Sequence, residues 1–136
     1  LTLKARVAWL KQVEAGDGIS YHHAYRAEQT ETIITGGIGY SDGYPIGSGP
    51  GGVVLIGGRR YSLVATVTAN HVYIAGNNCA PVKCGDEIVL IGSQGDNRIP
   101  VELLADHAGL SDYQLLSSLN PNLPRYYFGA SPQPQD

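Results

Sequence analysis

The side chains that offer acid–base chemistry in this sequence are four tyrosines placed near glycines: Tyr21, Tyr25, Tyr40 and Tyr44. A free phenol has a pKa near ~10, so an isolated tyrosine is a poor base at neutral pH. It becomes an effective base only where neighbouring positive charge stabilises the phenolate. By residue type alone, packing at a half-buried surface is the commoner role of such tyrosines, and an acid–base role stays open.

Other reactive groups have unfavourable spacing. His22 and His23 are adjacent, so on a strand they point to opposite faces and do not share a metal ion. Cys79 and Cys84 lack a second ligand pair at zinc spacing, and free thiols are expected there over a small disulfide loop. Residues 47–52 are rich in glycine but lack the lysine and the following helix of a phosphate-binding loop. We therefore predict no metal site and no nucleotide site.

The pattern of apolar residues predicts a mainly β domain. Apolar and polar residues alternate over residues 1–9, with Trp9 on the buried face, which is typical of a half-buried strand. Residues 19–27, 32–39 and 87–91 form further β-prone runs. A Gly-Gly pair between two such runs predicts a hairpin over residues 53–67.

Helix signals are confined to the last third of the chain. Pro100 and Gly109 mark the two ends of one short helix. Ser111 with Gln114 three residues later predicts a capping box for a second helix. A last strand is predicted over residues 126–128. Together these elements predict a partly open β-barrel with two short helices.

The composition narrows the function classes. The chain of 136 residues fits one domain, and its net charge of −3 without a basic stripe argues against a nucleic-acid partner. Only 15% of its residues are charged, below the ~25% usual for soluble domains, which indicates that another domain or subunit covers part of the surface. No apolar run of ~18 residues and no signal peptide is seen. Because the sequence does not begin with Met, we interpret residue 1 as a cut boundary.

Beyond these general features, the chain resembles the C-terminal domain of alanine racemases. The likeness spans five segments in the family's order, so it is far more specific than any one motif. The segments are 18–25 (GISYHHAY), 38–44 (IGYSDGY), 54–60 (VLIGGRR), 82–96 (VKCGDEIVLIGSQGD) and Tyr113 followed by 123–126 (LPRY).

The resemblance implies the organisation of the whole protein. Residues 1–128 are expected to form the β-domain and residues 129–136 a disordered tail. An N-terminal TIM barrel, absent from this chain, would carry pyridoxal 5'-phosphate (PLP) on a lysine. Two subunits would pack head to tail as a homodimer, so that each active site combines one barrel with the β-domain of the other subunit. A cytoplasmic location is implied, with a membrane anchor upstream left open.

The resemblance also assigns roles to individual residues. Tyr21 would be the catalytic base that removes the α-proton of the L-amino acid, while the lysine serves the opposite face. Tyr40 would line the substrate channel and contact the phosphate region of the cofactor. Asp42 and the following glycine would shape that loop, and the backbone N–H of Ala69 would bind the substrate carboxylate.

One segment departs from the family pattern and leaves the substrate open. The family usually has Met-Asp-Gln where this chain has Ala69, Asn70 and His71. The change to Asn70 removes a negative charge beside the substrate. Interconversion of L- and D-alanine, as used in peptidoglycan synthesis, is the expected activity of the full-length protein, and the isolated chain is expected to be inactive. Serine or a broader range of amino acids, or a catalytically silent dimerisation module, remain alternatives.

Overall fold

The structure is a computed structural model that describes residues 1–20, 23, 25–76 and 80–129. No helix among these residues is long and apolar enough to cross a membrane. Short 3-10 turns cover Tyr40–Asp42 and Ile46–Ser48. The described strands and helices are β1 Leu3–Val13, β2 Gly18–Ile19, β3 Tyr25–Arg26, β4 Glu31–Gly36, β5 Val53–Ile56, β6 Arg59–Val64, β7 Val72–Ala75, β8 Glu87–Gln94, β9 Asn97–Ile99, α1 Val101–Ala108 and α2 Asp112–Ser118.

Six of the described strands form an antiparallel barrel in the order β1-β4-β7-β6-β5-β8. The ring closes because β1 is long enough to pair twice: its first half pairs with β8 and its second half with β4. Strand β9 extends the sheet beyond β8. The prediction of a mainly β barrel with two short helices is confirmed, except that the ring of described strands is closed and not partly open, because β1 also pairs with β8.

A β-bulge in β1 decides which side chains face the barrel interior. The register with β4 shifts between Val7 and Trp9, and a bulge of this kind inserts an extra residue that inverts the alternation of faces. Val7 is buried, whereas the Trp9 side chain is 64% exposed. The prediction that Trp9 lies on the buried face was therefore wrong, since strict alternation does not continue through the bulge.

The barrel interior is filled by apolar side chains from all six strands. The Gly57-Gly58 hairpin is confirmed, with both glycines at positive φ (59° and 76°), as a two-residue turn with the twist of the flanking strands requires. Helices α1 and α2 close one side through Leu104, Ala105 and Leu115. Strand side chains in the same cluster include Val7, Ile34, Val54, Ile56, Leu63, Val72, Ile74, Ile88 and Leu90.

The helix boundaries follow the capping signals. Pro100 is the N-cap of α1, and Gly109 ends that helix in the left-handed conformation. The predicted capping box of α2 is present, because the Ser111 side chain accepts from the Gln114 N–H and the Gln114 side chain accepts from the Ser111 N–H. These local signals therefore set where the two helices begin and end.

Two predicted strands were wrong. The run 19–27 is not one strand, because its ends pair with each other: Gly18 with Arg26 and Ile19 with Tyr25. Residues 126–128 form no strand, and their three aromatic side chains are at least 80% exposed. β-prone residues do not form a strand where no neighbouring strand supplies hydrogen-bond partners. The predicted disordered tail lies outside the described residues from Ala130 onward.

Candidate functional site

The structure brings four of the five predicted site residues together. Tyr40 and Asp42 lie in the 3-10 turn that follows β4, and Ala69 and Asn70 lie in the connection between β6 and β7. We call residues 39–43 the tyrosine turn and residues 68–71 the asparagine turn. The fifth residue, Tyr21, lies outside the described residues.

Backbone hydrogen bonds join the two turns. The Tyr40 N–H donates to the Thr68 carbonyl and the Ser41 N–H donates to the Ala69 carbonyl, both at 3.0 Å. The Ser41 hydroxyl donates to the same Ala69 carbonyl at 2.6 Å. The tyrosine turn is thus fixed to the asparagine turn by its backbone, while the Tyr40 side chain stays 43% exposed.

Close backbone approach makes Gly39 necessary at the contact between the turns. A Cβ atom at this position would lie 2.2 Å from the Thr68 carbonyl oxygen and 2.4 Å from the Ala69 carbonyl carbon. Real Cβ atoms do not approach backbone atoms at such distances, so any larger residue would force the turns apart. The identity of Gly39 is therefore explained by tertiary contact.

Asp42 shapes the tyrosine turn from within. Its carboxylate accepts the Gly39 N–H at 3.0 Å, and its backbone carbonyl accepts the Asn120 N–H at 2.9 Å. Gly43 closes the turn at φ 89°, and a Cβ there would lie 2.1 Å from the Ser118 carbonyl oxygen at the end of α2. These contacts support a structural role for Asp42 in holding the loop.

Two backbone N–H groups of the asparagine turn have no acceptor among the described residues. Thr68 and His71 bond to each other through the Thr68 N–H and the His71 carbonyl at 3.0 Å, and through the His71 N–H and the Thr68 hydroxyl at 3.2 Å. The N–H groups of Ala69 and Asn70 donate to no oxygen in the part of the chain that is described. Neighbouring free N–H groups in a turn are suited to binding an anion such as a carboxylate.

Two described residues that precede and follow Tyr21 in the sequence, Ser20 and Tyr25, each bond to another part of the domain. Ser20, the residue before Tyr21, donates its hydroxyl to the Thr66 carbonyl at 2.9 Å. Thr66 lies two residues before the asparagine turn, so this bond joins the end of the described segment 1–20 to the connection that carries Ala69 and Asn70. On the other side of the segment, the Tyr25 hydroxyl donates to Glu31 at 2.6 Å.

Two of the four tyrosines singled out in the sequence are poorly suited to act as bases. The hydrogen bond to the Glu31 carboxyl group, together with burial, raises the pKa of Tyr25 to about 12. Tyr44 is fully buried in the barrel, and burial raises the pKa of its phenol well above the ordinary value. Both phenols therefore stay protonated near neutral pH.

A groove of about 710 Å³ lies between the β2–β3 pair and strands β1, β4 and β7. Its lining includes Trp9, Lys11, His23, His71 and Tyr73. His71 also belongs to the asparagine turn, so the groove continues from the site. The sequence alone does not predict that these residues meet, because they come from three separate segments and no motif joins them.

The hydroxyl residues at the site were also not predicted. Ser20, Ser41 and Thr68 each bond through their side chains to backbone groups of the loops that carry the site. In the sequence, each of these three hydroxyl residues stands next to a predicted site residue, and this position could have indicated them. Short hydroxyl side chains commonly bond to nearby backbone in turns, but their partners here are set by the tertiary structure.

This fold is similar to part of the structures of two amino-acid racemases. The alanine racemase of E. faecalis superposes with a TM-score of 0.85 at 28% identity, covering 93% of this chain and 33% of that one. A histidine racemase from Leuconostoc mesenteroides subsp. sake superposes with a TM-score of 0.83 at 35% identity, covering 92% of this chain and 33% of that one.

The family is shown by sequence as well. The model of the alanine racemase C-terminal domain matches residues 1–127, and the chain belongs to this family. The alanine racemase of Symbiobacterium thermophilum is 40% identical over 129 residues, which cover 95% of this chain. The match covers 34% of that relative, so the chain spans about a third of the length of the curated relatives it matches.

Proposed function

We propose that this chain is the C-terminal domain of a PLP-dependent racemase that interconverts L- and D-alanine, and that Tyr21 acts as the base on the L-face. The observation that carries the proposal is the joining of the tyrosine turn to the asparagine turn, together with the hydrogen bond from Ser20, the residue before Tyr21 in the sequence, to Thr66. Family membership supports the reaction class. The domain bounds 1–128 and a cytoplasmic location belong to the same proposal.

Racemisation requires proton transfer on both faces of one carbon atom. A single acid–base group reaches one face, so inversion needs a second group on the opposite side. Tyr21 would take the α-proton of the L-isomer, and the lysine of the N-terminal barrel would serve the D-face. For the phenol of Tyr21 to act near neutral pH, positive charge from the other domain must lower its pKa.

The other tyrosines strengthen the assignment of Tyr21 by their environment. Tyr25 is engaged as a donor to Glu31, and Tyr44 is enclosed in the core. Tyr40 is exposed in a turn whose backbone is fixed, so its side chain is available for contact with a ligand. The role of Tyr21 as the base is taken from the resemblance to the alanine racemase family, and the environments of Tyr25 and Tyr44 agree with it.

The described residues fit a carboxylate substrate and a phosphate-bearing cofactor. The N–H groups of Ala69 and Asn70 are available to bind the substrate carboxylate, which would orient the α-carbon toward Tyr21. The Tyr40 side chain is 43% exposed, and its phenol is a group that can form a hydrogen bond with a phosphate oxygen. PLP, when bound, supplies the electron sink for the α-carbon, and the protein supplies placement.

The test of the base is Tyr21→Phe in the full-length protein loaded with PLP. This variant keeps the ring and removes the proton carrier, so exchange of the α-proton of L-alanine with D₂O should slow by about 10²- to 10⁴-fold. Exchange is followed by NMR, with Tyr127→Phe, at an exposed position, as the matched control. If Tyr21→Phe catalysed α-proton exchange of L-alanine at the wild-type rate, Tyr21 would not be the base.

The proposed contribution to the partner subunit has its own experiment. We would mix Tyr21→Phe subunits with subunits that lack the PLP lysine, each inactive alone. If one barrel and the β-domain of the other subunit share each site, mixed dimers contain one site with both groups and recover activity. If each subunit builds its own site, no mixed dimer contains such a site and activity stays absent.

The substrate is open to a second candidate because of two observations. The solved histidine racemase is 35% identical to this chain, and Ala69 is smaller than the methionine usual in the family. Measurement of kcat/KM for alanine, serine and histidine distinguishes a narrow from a broad racemase. If the full-length protein shows no PLP absorbance and racemises none of the three, the silent dimerisation module is favoured.

A further inference from the structure

The Ser41 hydroxyl lies close to two oxygen atoms but has one proton. It is 2.6 Å from the Ala69 carbonyl oxygen and 3.0 Å from Asn70 Oδ1. The shorter contact is the stronger hydrogen bond, so the proton is directed to Ala69. The second contact then joins two acceptor atoms, which is unfavourable for the asparagine side chain as oriented.

A rotation of the Asn70 amide resolves this contact. The oxygen and the NH₂ group of an asparagine side chain are nearly equal in size, and turning the amide by 180° exchanges them. With the NH₂ group toward Ser41, the amide donates to the hydroxyl oxygen, which keeps a free lone pair. Ser41 then both accepts from Asn70 and donates to Ala69.

We propose that Asn70 and Ser41 form a matched positioning pair, in which the Asn70 amide donates to the Ser41 hydroxyl and so holds Tyr40 against the asparagine turn. The inference rests on the proposed function for its catalytic meaning. An ionised aspartate, the usual family residue at this position, has no proton to donate and cannot complete this chain of hydrogen bonds.

The pair also fixes the direction of one peptide group. In a planar trans peptide the carbonyl and the N–H point in opposite directions. The Ala69 carbonyl points to Ser41, so the N–H of Asn70 points away from the tyrosine turn. The same contacts that hold Tyr40 therefore orient a donor proposed to bind the substrate carboxylate.

The experiment uses the full-length PLP-loaded protein with Asn70→Asp, Ser41→Ala and the double variant. Hydrogen–deuterium exchange of the Tyr40 and Ser41 amides is compared with the wild type at each pH from 4 to 8. In Asn70→Asp, loss of one hydrogen bond should speed exchange about fivefold at pH 8, where the carboxylate cannot donate. Near pH 4 the protonated acid can donate, and exchange should approach the wild-type rate.

The double variant distinguishes a matched pair from a general disturbance. In the Ser41→Ala background there is no hydroxyl to receive the proton, so Asn70→Asp should cause no further increase in exchange. Gln12→Glu, the same amide-to-acid change at an exposed position of β1, should leave exchange at wild-type values. Additive effects of the two substitutions, or exchange independent of pH, would overturn the proposal.

Kinetics separate this proposal from the proposed function. If Tyr40 is positioned by the pair, Asn70→Asp should lower kcat for alanine about fivefold at pH 8 and change KM less than about twofold. Amide exchange does not require catalysis, so it tests the pair even if the wild type racemises no amino acid. Racemase activity together with unchanged exchange in Asn70→Asp would reject the pair and leave the proposed function standing.

Discussion

The barrel interior and the two joined turns are stabilised in different ways. In the interior, apolar side chains such as Val54, Ile74 and Leu90 are completely buried, and their burial supplies free energy roughly in proportion to area. At the turns, Tyr40 and Asn70 are exposed, and the contacts are hydrogen bonds to carbonyl oxygens. The first region therefore stabilises the fold, whereas the second positions the candidate site residues.

This difference predicts which measurement a substitution will change. Removing an apolar side chain from the interior should lower the free energy of unfolding and leave the folded site intact. Disturbing a turn should displace Tyr40 or the donors of the asparagine turn, with a smaller effect on unfolding. The substitutions below test the separation, beginning with the largest expected change in stability.

Leu90→Ala tests the interior. The side chain is fully buried in the barrel, and truncation of a buried leucine costs about 2–5 kcal/mol through lost burial and the cavity left behind. Exchange of slowly exchanging barrel amides in the full-length protein measures this loss. Activity per folded molecule should stay near wild type at low temperature. A large loss of kcat with an unchanged barrel would contradict the separation of the two regions.

Gly39→Ala tests the contact between the turns. Its Cβ would lie 2.2 Å from the Thr68 carbonyl oxygen, so the turns must separate, at a cost of about 1–3 kcal/mol. We expect kcat/KM for alanine to fall clearly, while the free energy of unfolding of the full-length protein changes only by this amount. Gly37→Ala is the matched control, because a Cβ there meets the Arg6 carbonyl at an ordinary 3.5 Å. Equal activity in the two variants would show that the contact is not needed.

Tyr25→Phe tests the anchor of the β2–β3 pair. Loss of the 2.6 Å bond to Glu31 should lower stability by about 1 kcal/mol, at the low end for bonds to carboxyl groups because the tyrosine is partly exposed. Folding raises the pKa of Tyr25 to about 12, so its contribution is complete below pH ~10 and is lost as the pH rises toward 12. The wild type should therefore lose stability more steeply than Tyr25→Phe over pH 10–12, as followed by denaturant titration. If the free energies of unfolding of the wild type and of Tyr25→Phe fell equally over pH 10–12, this hydrogen bond would not contribute to the pH dependence.

Much of the barrel could be predicted from the sequence because its signals are local. The Gly57-Gly58 turn, the Ser111–Gln114 capping box and Gly109 each act within a few residues. The predicted strand at residues 126–128 failed because strand formation depends on a neighbouring strand. The bulge in β1 could not be predicted either, since it arises from pairing with β4.

The candidate site likewise has residues that the sequence predicts and contacts that it does not predict. The order of its motifs identified Tyr40, Asp42, Ala69 and Asn70, while Tyr21 stays a prediction because it lies outside the described residues. Ser41 and Gly39 adjoin these residues, yet their importance depends on carbonyl groups about 30 residues away in the sequence. The groove lined by Trp9 and His71 likewise exists only where separate strands meet.

The sequence by itself determined the family, the alternation that builds a barrel, and the local caps and turns, because each depends on residue types at short spacing. Only the tertiary structure decided that the tyrosine turn meets the asparagine turn, that Gly39 is necessary there, and that Ser41 has two oxygen atoms for one proton. The reason is that hydrogen bonds and close contacts between distant segments depend on distances in space. These distances cannot be read from residue types at short spacing.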